Sequence, residues 1–312
     1  MEYRKCMISA LISILILSGL ILSGLILPGV ANGKSQDKPN ANKPVKRNQS
    51  QLYADTQSRS DGKDFIYYMK GYAYAFIPGE RPQQLFGMEG YNIRRRIETP
   101  EKDGYFNATR EIVFYTDPKT DEILWEWRNP FTQQKNEVFH IANDPVNYRF
   151  RVREGKNISV TLDGKRELGE IAAPQEWEDF YVWHRDVFPF YPLPGFDKNY
   201  TSAELFDYYV PKSDFERPGS PNVMVSWTRV GPWLPWMGMD KHDGLLIYHA
   251  RSKLIESWDS LPERIKKAVK EKYPIYQTAP GEVDPNRPNV TSWTYYADEM
   301  KRRQRNSPSL PN

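Results

Sequence analysis

From Lys63 to Val230 the chain alternates apolar and polar positions in short runs, broken by Pro, Gly, Asp and Asn. This period-two pattern is that of half-buried antiparallel strands. The longest run, Asp64 to Ile77 (DFIYYMKGYAYAFI), stops at Pro78-Gly79. Within it Tyr72, Tyr74 and Phe76 share one face and Ala73 and Ala75 the other, a division that suits a curved sheet. Further strands are predicted over 85–97, 105–115, 122–128, 137–141, 146–152, 157–161, 167–172, 180–188, 203–210, 223–230 and 245–249. Thr116 to Asp121 reads as a turn with Pro118 setting φ, and Asp163-Gly164 is the strongest short hairpin signal. About ten to twelve short strands at regular spacing, with no solenoid or propeller repeat, predict a mainly β fold. The expected architecture is an antiparallel lipocalin-like barrel, with aromatic rings turned into a shared hollow.

One segment carries a helical period. Ser260 and Glu263 form an S-x-x-E capping box, and Leu261, Ile265, Ala268 and Val269 make an apolar stripe. Lys266, Lys267, Lys270 and Lys272 lie outside the stripe, and Pro274 stops it. This C-terminal helix is expected to pack on or plug one end of the sheet. Residues 291–300 read as a last strand or a short helix.

The ends of the chain are not globular sequence. Arg4 and Lys5 precede a charge-free apolar run from Cys6 to Ala31, closed by small residues, as in a secretory signal. A run of about 25 apolar residues is also long enough to span a bilayer as a retained anchor. The chain is therefore divided into a signal peptide or N-terminal anchor (1–33), a flexible basic linker (34–62), a single β-barrel-like domain (63–300) and a disordered basic tail (301–312).

Composition narrows the chemistry. The 312 residues include 20 Tyr, 14 Phe and 9 Trp, which favour strands and large packed interiors or pockets. Cys6 is the one cysteine, so the domain beyond the leader has no disulfide, thiolate nucleophile or Cys-ligated metal. The formal charge of +3 is uneven: residues 52–300 hold 32 basic and 38 acidic side chains, and this mildly acidic body argues against nucleic-acid binding. In Arg94-Arg95-Arg96, alternation places Arg95 opposite its neighbours, and the run reads as a solvated edge.

Two stretches concentrate candidate chemistry. The first runs from Arg128-Asn129 to His140, Asn143 and Asp144. It is dense in groups that position ligands or move protons, although Asn-Asp-Pro is also turn chemistry. The second, VSWTRVGPWLPWM, places Trp227, Trp233 and Trp236 with two prolines in an aromatic wall, and Arg229 offers a fork for a carboxylate. The same wall also reads as a lid that simply fills the core. His140, His184 and His249 on separate strands have no metal-site spacing, and no GxSxG, GxGxxG or P-loop occurs. No metal or cofactor is expected.

The segments EIVFYTDPKTDEILWEWRNPFT, HIANDPVNYRF, SWTRVGPWLPWM, SWDSLP and PNVTSWTYY resemble the bacterial family termed domain of unknown function 1838, over roughly Asp64 to Tyr296. The resemblance carries no activity or catalytic residue. It implies a bacterial source, and with the leader a periplasmic or secreted protein, or one held at the inner membrane by an uncleaved segment. Two function classes stand. One is an exported protein binding a small hydrophobic or aromatic molecule through Arg128, Asn129, Asn143, Trp227, Trp233 and Trp236, with Arg229. The other is a cofactor-free lyase, isomerase or hydrolase in the same cavity. There His140 or His249 is the acid–base group, Asp144 orients it and Arg229 binds an anionic group. The enzyme reading requires one of those histidines to face the cavity.

Overall fold

A computed structural model describes residues 47–192, 199–217 and 219–306. The predicted apolar leader, residues 34–46 of the predicted basic linker, residues 193–198, residue 218 and residues 307–312 lie outside the described residues. In chain order the structure comprises α1 (Gln49–Gln57), β1 (Phe65–Phe76), β2 (Gln83–Glu98), β3 (Gly104–Thr116), β4 (Glu126–Arg128), β5 (Lys135–Glu137), β6 (Ile141–Asn143), β7 (Tyr148–Arg153) and β8 (Lys156–Val160). It continues with β9 (Glu167–Glu170), β10 (Gln175–Trp177), β11 (Phe180–Val187), β12 (Phe190–Pro192), β13 (Asn199–Thr201), β14 (Ala203–Pro211), β15 (Met224–Gly231) and β16 (Leu245–Ile255). The helices α2 (Glu263–Lys272) and α3 (Ser292–Asn306) follow. The fold is mainly β, with one 12-stranded antiparallel sheet in the order β10-β11-β14-β15-β16-β1-β2-β3-β7-β8-β9, and β6 on β3. Among the described residues no ladder joins the edge strands β9 and β10, so no closed barrel is formed there by hydrogen bonding. The sheet nevertheless curls: Arg185 on β11 stacks over the Tyr148 ring on β7, 5.1 Å from its centroid, although many strands separate them along the sheet.

Across the inner face, side chains are small at β1 and larger on the strands to either side. One cross-strand row reads Arg185, Phe206, Trp227, Ala250, Gly71, Met88 and Tyr115. The next reads Glu204, Arg229, Tyr248, Ala73 and Phe86. Small residues at the middle of β1 thus make room for rings on both neighbours. At Gly71 a Cβ would lie 2.4 Å from the Ala250 Cβ, so only glycine fits. The large residues of β1 follow the opposite rule from the one expected. Tyr72 and Phe76 are 40% and 41% exposed, while Ala73 and Ala75 are buried, because the interior at this level is already filled from β2, β15 and β16.

The outer face of β1–β3 is covered by α2. Ile66, Tyr91, Ile93, Ile112 and Phe114 pack against Leu261, Ile265, Ala268 and Val269, the predicted stripe. Glu89, only 1% exposed on this face, accepts from the Tyr68 hydroxyl at 2.5 Å and is paired with Arg264 of α2. The predicted capping box does not form. Pro262 occupies the N-cap, Ser260 ends a separate turn, and Glu263 pairs forward with Lys266 at 2.6 Å.

Two segments read as unstructured contain helix. Within the predicted linker, α1 is closed by a capping box between Asn48 and Gln51. Its Tyr53 packs on Phe150 and Trp183, bridging β7 and β11. The last turn of α3 extends to Asn306, where Glu299 binds Arg302 and Arg303 at 2.7 and 2.8 Å. Of the two readings for residues 291–300, the helix is found. Among the described residues no helix is long and apolar enough to cross a membrane.

Candidate functional site

The curled sheet encloses a cavity of about 420 Å³, inside the size range of small-molecule sites. Strand alternation sets its lining. Tyr67 and Arg94 point in from β1 and β2, Glu111 from β3, Arg185 from β11, Glu204 and Tyr208 from β14, and Trp227 and Arg229 from β15. Asn143, Tyr148 and Trp293 complete the wall.

Five of these groups carry formal charge, three Arg and two Glu, and they are poorly matched to one another. Arg94 donates to Gln57 at 2.7 Å and lies over the Tyr67 ring. Arg185 rests on Tyr148 and beside the Tyr208 hydroxyl. Neither has a carboxylate partner among the described residues. Arg229 is held between the rings of Tyr200, Tyr248 and Trp293, at 5.6, 5.2 and 5.2 Å, and donates to the Tyr200 hydroxyl. Its nearest carboxylate contact is Glu204, 3.9 Å from Nε. The Arg229 Nε–H and the Trp227 indole N–H find no acceptor among the described residues. Buried guanidinium groups without acids are costly unless an anion joins them.

Glu111 is one of the two acids of this interior. Its Oε2 accepts from the Asn143 amide at 2.9 Å. Burial raises its pKa above the usual carboxylate range. The Asn143 hydrogen bond opposes the rise, and so do the charges of Arg94 and Arg229, while Glu204 adds to it. A neighbouring groove carrying Arg149, Lys165, Arg166 and Arg287 shares Tyr148, Arg185 and Asn289 with the cavity, so the approach on that side is basic.

The residues singled out from sequence divide sharply. Asn143, Trp227 and Arg229 line the cavity. His140 does not. It is 1% exposed, with Phe114 and Trp125 rings 4.9 Å away, and its Nδ1 accepts from the Tyr115 backbone N–H at 3.1 Å. Burial, with a smaller contribution from Lys272, pushes its pKa down to about 3, so it is a neutral core histidine. Asp144 does not orient it; Asp144 binds Arg110 at 2.9 Å and Arg287 at 3.5 Å. His249 sits on the outer face beside Thr228 and is exposed, because the register pairs it with Tyr72 rather than with an inward residue. The histidine-based catalytic arrangement is therefore not assembled. His184, also exposed, pairs with Asp207 on the outer face, so the three histidines do not converge, and no cluster of metal-ligating side chains occurs among the described residues.

Arg128 is exposed at the end of β4. Asn129 is structural: its Oδ1 accepts from the Phe131 and Thr132 N–H groups at 2.8 and 3.2 Å, and its amide donates to the Met237 carbonyl at 2.9 Å. Trp233 and Trp236 fill the core and do not reach the cavity wall. Trp236 packs on Phe86, Trp127 and Tyr115, and Trp233 donates to the His242 carbonyl at 3.1 Å. The residues not anticipated are Arg94, Glu111, Arg185, Glu204 and Tyr148. For Arg94 the alternation was visible, since Arg94 and Arg96 do lie opposite Arg95. Which face was inside was not.

No curated protein and no solved structure matches the chain. Residues 62–300 match the model of the family described as Protein of unknown function (DUF1838), and the chain belongs to that family.

Proposed function

We propose that this protein binds a small organic anion with an apolar or aromatic body in the central cavity, and that it does so after export. The observation that carries the reading is the placement of Arg185 and Arg94, without carboxylate partners among the described residues, in a largely apolar wall that includes several aromatic rings. A carboxylate would give the guanidinium groups the charge-assisted hydrogen bonds that the protein does not supply. The rings of Tyr67, Tyr148, Tyr208 and Trp227 would take the apolar part. The curled sheet acts in this reading as a lipocalin-like cup, with α1 across the gap between β7 and β11. The aromatic ligand expected from sequence is kept, and a negative charge is added to it. Export rests on the leader from Cys6 to Ala31.

Calorimetric titration with phenylacetate and with its neutral analogue phenylacetamide tests the proposal. The acid is expected to bind at least about tenfold more tightly, as one charge-assisted contact predicts, and Arg185→Ala to erase that preference. Equal affinities for acid and amide would refute it.

A further inference from the structure

We infer that the cavity is also a proton-transfer site, in which the Glu111 carboxyl takes a proton from, and returns it to, the carbon next to the carbonyl of a small 2-oxo acid. The inference rests on the anion-binding reading above and assigns the substrate class of that site.

Glu111 is placed for such a role and is not used up structurally. It points inward from β3, opposite Asn143 in the β3–β6 ladder. One oxygen, Oε2, is held by the Asn143 amide, and Oε1 has no hydrogen-bond donor among the described residues. No Arg or Lys among them forms an ion pair with it, although three Arg line the same cavity. The charged and titratable groups around it are Arg94 on β2, Arg229 on β15, Glu204 on β14, Tyr148 on β7 and Tyr115 on β3. A carboxyl whose pKa is raised by burial, beside cations that can face a developing oxyanion, is the usual equipment for enolisation.

The step balances without a further reactant. Ionised Glu111 takes the C3 proton of the 2-oxo acid, and the C–H electron pair becomes the C2–C3 double bond. The carbonyl π pair moves to oxygen, giving an enolate whose charge the cavity arginines stabilise. Return of the proton to carbon regenerates the ketone. Protonation on oxygen by water, with release of the Glu111 proton to water, gives the enol. The substrate carboxylate occupies the guanidinium groups as in simple binding.

The test uses phenylpyruvate in D2O with the full chain, following loss of the C3 proton signal by NMR, together with calorimetric binding. Wild type is expected to accelerate exchange over buffer. Glu111→Gln, which keeps an acceptor for Asn143, is expected to lose about 100-fold in exchange rate while binding phenylpyruvate within about threefold of wild type. The wild-type rate should rise with pH through an ionisation above the ordinary carboxylate range, and that ionisation should be absent from the variant. Equal exchange by wild type and Glu111→Gln, with both binding, overturns the proton-transfer role and leaves anion binding standing. Binding of phenylacetate but not of phenylpyruvate overturns the 2-oxo acid assignment. Binding of neither acid overturns both readings.

Discussion

His140 supplies the sharpest test of how this interior is built. In the folded chain its pKa is about 3, against 6.5 for an unhindered histidine, and burial among Phe114, Trp125 and Tyr115 is the main cause. The folded state therefore resists a proton that the unfolded chain accepts. Stability contributed by the neutral ring is fully present above about pH 6.5 and is lost as pH falls towards the folded value. A tenfold difference in proton affinity between the two states is worth ~1.36 kcal/mol. Between pH 7.5 and pH 5 the unfolded chain becomes protonated at this site and the folded chain does not, which gives a loss of about 2 kcal/mol by linkage. Urea unfolding of wild type and His140→Gln, each at pH 7.5 and pH 5, isolates the effect, since all other groups are common to both. The variant is expected to be less stable at pH 7.5, because Gln packs poorly among the rings. Its fall in stability between the two pH values should be about 2 kcal/mol smaller than that of wild type. Parallel falls in the two proteins would refute the placement of His140 as a buried neutral ring and would reopen it as a solvent-reachable base.

Three further outcomes follow from the packing. Trp236→Ala should cost about 3–5 kcal/mol in unfolding free energy and leave anion affinity within about twofold, whereas Trp227→Ala should weaken binding as well, since of the two only Trp227 lines the cavity; calorimetry and urea unfolding separate the two. Gly71→Ala should destabilise by about 1–3 kcal/mol or more, read by thermal unfolding, because the new methyl would collide with Ala250 and the His249 carbonyl in a closed ladder. Arg264→Ala should cost about 1–2 kcal/mol, less than a fully enclosed pair because Arg264 is half exposed, and the double change with Glu89→Gln should recover part of it in the same assay.

Much of the architecture was legible from the alternation of residue types. The long strand Phe65–Phe76 and the apolar stripe of α2 both stand where the periodicity placed them, because strand and helix periods are local geometric facts. The helix α1 was not legible. Its buried face includes Ser50, Thr56 and Gln57, and a polar face gives no hydrophobic period even when it is packed. Its capping box, Asn48 with Gln51, follows basic, proline-containing residues and was not read from the sequence.

The site was legible only in part, and the division has a physical cause. Sequence determined that Arg229 and Trp227 share a face, that Arg94 lies opposite Arg95, and that the protein is rich in rings and has no cysteine after Cys6. Tertiary structure alone decided which face of each strand is inside, since curling the sheet brings Arg185 of β11 against Tyr148 of β7 across residues that are remote in the chain and in the ladder. It also decided that Trp233, Trp236 and His140 are filler while Glu111 opens on the cavity. A ring or an imidazole has the same local pattern in either setting, and only the volume left by its neighbours separates a core from a pocket.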